Sequence, residues 1–103
     1  MGLVFWKKNV MKEIIISVWV FNGPNGKFSG GVFAERQLAE SWILKHKLTG
    51  TLTLYPLNIG VYDWTIANNF FDPSKEKEYQ PDFIGSFSSA SQEHYHYLNG
   101  EID

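Results

Sequence analysis

Between Ile14 and Phe21 both alternating sets of positions are apolar: Ile14, Ile16, Val18 and Val20 on one side, Ile15, Trp19 and Phe21 on the other. Successive strand side chains point to opposite faces, so this run predicts a central strand covered on both. Asn22-Gly23-Pro24-Asn25-Gly26 follows, with two Asn-Gly pairs around a proline, and predicts a turn. A hairpin would then return over residues 27–33, with Gly30 and Gly31 marking a bulge or a close backbone approach.

From Ala34 the period becomes helical. Leu38, Ala39, Trp42, Ile43 and His46 fall on one stripe, while Glu35, Arg36, Glu40 and Lys47 lie off it. Ala34 stands where a Ser or Thr cap would be expected, so the helix should begin without a strong cap. His46 sits in the last turn, where the helix dipole favours positive charge, and is read as structural. Thr51 to Tyr55 alternates cleanly and Pro56 ends it, which predicts a half-buried strand. Asn58 is the expected cap of a second helix carrying Val61, Trp64, Ala67 and Phe71, with Asn69 in a left-handed terminating conformation. The polar stretch DPSKEKEYQ reads as a surface loop. Pro81 then suits the first turn of a short helix presenting Phe83, Ile84, Phe87 and Ala90, weakened by Gly85. Glu93 to Leu98 is a last strand, closed by Asn99-Gly100. The order β-β-α-β-α-α-β predicts an α+β fold, a single layer of mostly antiparallel sheet with helices packed on it.

At 103 residues the chain is the size of one domain, assigned to residues 11–103. Residues 1–10 carry no such pattern and are expected to be a dispensable extension. Aromatic residues make up 17% of the sequence, enough for a core built around rings. Nine basic against eleven acidic residues give a net charge of −2, which lacks the clustered Lys and Arg of a nucleic-acid surface. There is no cysteine, so disulfides and thiolate zinc sites are excluded, and a reducing cytoplasm is the simplest expectation. Lys7, Lys8 and Lys12 before IIISVWVF imitate a signal peptide, but Glu13 interrupts the basic region and no small-residue cleavage site follows. That apolar run is also far short of the ~20 residues of a membrane helix. Gly2 is followed by Trp6 where a myristoylation signal wants Ser or Thr.

The segments WVFNG at 19–23, GVF at 31–33, AESWI at 39–43, LTGTLTLYPLNIGVYDW at 48–64 and FSSASQEHYHYLNG at 87–100 resemble a family of small stand-alone bacterial proteins of unknown function. The resemblance runs from Met11 to Gly100. It carries no activity or site residues, but proteins of this size and style include immunity proteins that guard a bacterium against a toxin. The expectation is a protein-binding module of inhibitor or immunity type, with a protein partner such as a toxin and no cofactor.

The candidate chemistry centres on EHYHY. In a strand His94 and His96 share a face, as two metal ligands would, and as an ordinary polar face would also give. A zinc site needs a third ligand, with Asp63, Glu93 or His46 as candidates, and spacing fixes none of them. A hydrolase or nuclease reading would use His94 or His96 as general base, Asp63 as its orienting carboxylate, and a hydroxyl from Ser86, Ser88, Ser89 or Ser91. No nucleophile elbow or phosphate loop supports it, and the lone Arg36 lies on a helix. The expected binding residues are Tyr62, Asp63, His94, Tyr95 and His96. Trp64, beside Asp63, reads as core.

Overall fold

The computed structural model describes residues 16–103. The expectations for residues 1–10, and for Ile14 and Ile15 in the first strand, lie outside that range. Strand β1 (Ser17–Asn22) pairs with β2 (Gly31–Phe33), and β3 (Gly50–Pro56), β4 (His94–Leu98) and β5 (Glu101–Ile102) complete the sheet. The order is β2-β1-β3-β4-β5, with every neighbour antiparallel. Helix α1 (Arg36–His46) links β2 to β3. Helix α2 (Val61–Ala67), a 3₁₀ turn (Glu76–Tyr79) and helix α3 (Pro81–Gly85) fill the long connection from β3 to β4. This is the α+β fold expected from the periodicities, extended by β5.

The register fixes which side chains meet. Trp19 pairs with both Phe33 and Leu54, Phe21 with Leu52, and Leu52 with Tyr95. These residues therefore share one sheet face, and α1 packs on it through Ala39 and Ile43, both fully buried. Trp42 lies against Phe21 edge-on at 5.6 Å and against Phe33 at 5.4 Å between ring centroids. The helical stripe is narrower than its sequence suggests, because Leu38 is 56% exposed. As expected from Ala34, α1 has no side-chain cap, with Glu35 in the cap position. Its other end closes on Lys47, which adopts a left-handed conformation with φ 53°. The Lys47 amide donates to Leu44 O and the Leu48 amide to Ile43 O, a Schellman closure that usually employs glycine.

Two turns differ from expectation for local reasons. Asn58 does not cap α2; it has φ 66°, and Gly60 takes the cap position instead. Asn99 and Gly100 both have positive φ, so they reverse the chain into β5 rather than end the sheet. Asn-Gly favours this two-residue hairpin because both positions tolerate φ > 0. The Gly100 amide donates to Leu48 O at 2.8 Å and ties the hairpin to the end of α1. Asn69 does take the left-handed terminating conformation, with φ 63°.

A second aromatic cluster sits in the β3–β4 connection. Tyr62 of α2 meets Phe71, Phe83 and Phe87 at 6.0, 6.3 and 5.5 Å between centroids. Helix α3 ends at Gly85, so Phe87 reaches the cluster from beyond it, while Ile84 and Ala90 stay exposed. The stretch read as plain loop is ordered by Glu78, whose carboxylate accepts the Ser74 amide at 2.8 Å and the Lys75 amide at 3.1 Å. Those amide bonds are the leading cause holding the Glu78 carboxyl below its ordinary value.

Candidate functional site

The sheet face turned away from α1 carries the paired histidines. Cross-strand register sets Val32, Val20, Thr53 and His94 in one row, and Asn22, Thr51 and His96 in the next. Val18 and Tyr55 form a third row on the same side. Val18, Val20 and Tyr55 are half-buried, and Val32 is 62% exposed. Helix α1 packs on the other face, through Ala39 and Ile43.

The two imidazoles are held differently. His94 donates from Nδ1 to the carbonyl of Gln92 at 2.7 Å, which in the neutral ring leaves the lone pair on Nε2. Gln92 is itself a buried anchor: its Nε2 donates to Leu54 O, and its Oε1 accepts the Ser89 amide. His96 Nδ1 sits 3.3 Å from Thr51 Oγ1, its direct cross-strand neighbour. The rings meet edge to face with centroids 5.4 Å apart.

A third metal ligand is not brought to them. Glu93 points to the opposite side, where it accepts the Tyr95 hydroxyl. His46 stacks edge-on with Trp42 at 6.0 Å, on the α1 side of the sheet. Asp63 is exposed in the first turn of α2. Among the described residues no three His, Asp or Glu side chains form a metal-sized cluster. Three of the four candidate serines are engaged elsewhere: Ser86 donates to Asp82 O, and the Ser89 and Ser91 hydroxyls meet each other. Among the described residues no serine hydroxyl is hydrogen-bonded to a histidine, so the general-base constellation is not assembled.

The five expected binding residues therefore separate. His94 and His96 stand together on the open face. Tyr95 belongs to the opposite one, and Tyr62 is buried with its hydroxyl donating to Glu78 O at 2.7 Å. Trp64 is half-buried and packs on Phe70, with centroids 5.5 Å apart.

A polar network on the α1 side escaped the sequence reading. Arg36 lies over the Tyr95 ring, its guanidinium carbon 3.5 Å from the centroid, and its Nε donates to Glu40 at 3.1 Å. The same Glu40 oxygen accepts the Tyr97 hydroxyl at 2.5 Å. Burial first, then the Glu40 hydrogen bond and charge, push the Tyr97 hydroxyl up to about 12. The hydrogen bond to Glu93, followed by burial, raises Tyr95 as well. The legible part of this network was the i, i+4 spacing of Arg36 and Glu40 on one helix.

The fold and this face define a small antiparallel α+β domain with one helix-covered side and one side bearing rows of aliphatic, hydroxyl and imidazole groups. A family model for a domain of unknown function, DUF7710, matches residues 18–103, and the chain belongs to that family. Nothing among curated proteins or solved structures matches it. No helix among the described residues is long and apolar enough to cross a membrane.

Proposed function

We propose that the chain is a protein-binding module of inhibitor or immunity type, working in a reducing cytoplasm, whose partner docks on the sheet face bearing His94 and His96. One observation carries the reading: the His94 and His96 rows set imidazoles and threonine hydroxyls beside Val18, Val20, Val32 and Tyr55 on one continuous face. An interface needs such a mixture, an apolar patch for burial and interleaved hydrogen-bonding groups for register. The net charge of −2 favours encounter with a basic partner, because complementary charge raises association rate and specificity.

The test is a paired capture from the native cell, with the partner then purified and titrated against the wild type and against Val32→Asp and His96→Glu. Both positions are exposed, so the melting temperature should hold. A charge placed in an interface should weaken binding at least about tenfold. A purified partner that binds both variants as tightly as the wild type would remove the face from the function.

A further inference from the structure

Where β1, β3 and the start of β4 meet α2, the molecule has a cleft of about 360 Å³, lined among others by Leu54, Pro56, Trp64, Phe70, Ser91 and Glu93. It is separate from the histidine face. That volume is near the lower end of small-ligand sites, large enough for one ring or a short alkyl chain. Its walls are mostly apolar, and Phe70 remains 54% exposed although it packs on Trp64. An aromatic pair left half in water beside a cleft offers π-faces to a guest.

The polar groups of the lining narrow the chemistry. Gln92 is spent, since its amide nitrogen serves Leu54 O and its amide oxygen serves the Ser89 amide. Among the described lining residues the lone formal charge is Glu93. Its carboxylate accepts the Tyr95 hydroxyl and forms no ion pair among the described residues. A carboxylate lining the same cleft as an indole and a phenyl ring attracts a cation by its charge, the ring quadrupoles add to that attraction, and the carboxylate repels an anion. We propose that this cleft is a binding site for a small organic amine: the ammonium lies against Glu93 and the apolar stem along the exposed side of the Trp64–Phe70 pair. Ser91, exposed on the rim, supplies a further acceptor for the ammonium protons.

The proposal does not rest on the docking face, so either can fail alone. The test is calorimetric titration of the full chain at neutral pH with phenethylamine, with its neutral counterpart 2-phenylethanol, and with 3-phenylpropionate. The amine should bind, with the alcohol at least about tenfold weaker and the carboxylate silent, as a charge-selective aromatic site requires. Glu93→Gln keeps an acceptor for the Tyr95 hydroxyl and should remove the preference for amine over alcohol. Phe70→Ala, at an exposed position, should weaken both. Equal affinity for amine and alcohol, an unchanged preference in Glu93→Gln, or no binding of the amine would each overturn the proposal. A blocked Gly-Lys-Gly peptide that binds where the free amine does not would also overturn it, by assigning the cleft to a protein side chain.

Discussion

Glu40 on α1 accepts the Tyr97 hydroxyl of β4 at 2.5 Å, joining the helix to the sheet by a hydrogen bond between residues 57 positions apart. Tyr97 is buried, and Arg36 shares the same Glu40 oxygen, so the contact is shielded on one side and charge-balanced on the other.

The first prediction is a loss of stability at high pH. Tyr97 has its folded value raised from 10.0 to about 12, so the folded state holds the proton more tightly than the unfolded chain. That contribution is complete below pH 10 and is lost as pH rises towards 12, by up to about 2–3 kcal/mol. Urea midpoints from pH 8 to pH 12 should fall over that window for the wild type. Tyr97→Phe should start lower by about 1 kcal/mol or more, leaving Glu40 with Arg36 alone, and should show a shallower decline.

Gly50 opens β3 where the chain has no room for a side chain. A Cβ there would stand 2.3 Å from Asn22 O and 2.7 Å from the Phe21 ring. Gly50→Ala must push backbone apart across the β1–β3 pair, at a cost of about 3 kcal/mol or more, the range of severe overpacking. Equilibrium urea unfolding measures it. A cost under 1 kcal/mol would mean that the two strands separate more freely at this end than their pairing implies.

Lys47 should be replaceable with profit. It occupies the left-handed position of the α1 closure, φ 53° and ψ 48°, a conformation that costs a residue with a Cβ about 1–2 kcal/mol. Lys47→Gly should raise stability by several tenths to about 1 kcal/mol, after the larger entropy lost by glycine on folding. A thermal melt showing a lower midpoint would assign Lys47 a side-chain contact that outweighs its backbone strain.

Zinc should not stabilise the protein. His94 and His96 have no third ligand among the described residues, and one Nδ1 is committed to Gln92 O. Melting curves in chelator and in zinc should coincide for the wild type and for the His94→Gln, His96→Gln double variant. A bound metal would instead raise wild-type stability by about 2.7 kcal/mol at roughly a hundredfold excess over its dissociation constant. Such a gain confined to the wild type would make the open face a metal site.

The elements legible in the sequence were those with a period of their own. Ala39, Trp42 and Ile43 announced α1, the alternation from Thr51 to Tyr55 announced β3, and the i, i+2 spacing of His94 and His96 put them on one face. Strand β5 has too few residues to show a period and exists because Asn99-Gly100 turns the chain back. The burial of Tyr62 was not legible, because it depends on Phe71, Phe83 and Phe87 converging from separate irregular segments. The Tyr97–Glu40 contact was equally hidden, since nothing in either local pattern specifies where α1 crosses β4.

The outermost strands bear on how molecules of this protein meet one another. The described sheet ends in a strand of three residues, β2, on one side and a strand of two, β5, on the other. An unpaired strand edge recruits a neighbouring chain in proportion to the length of backbone it offers, and these two outer strands offer little. At both ends of the described sheet, a chain adding to β2 or β5 would find a template of only three or two residues.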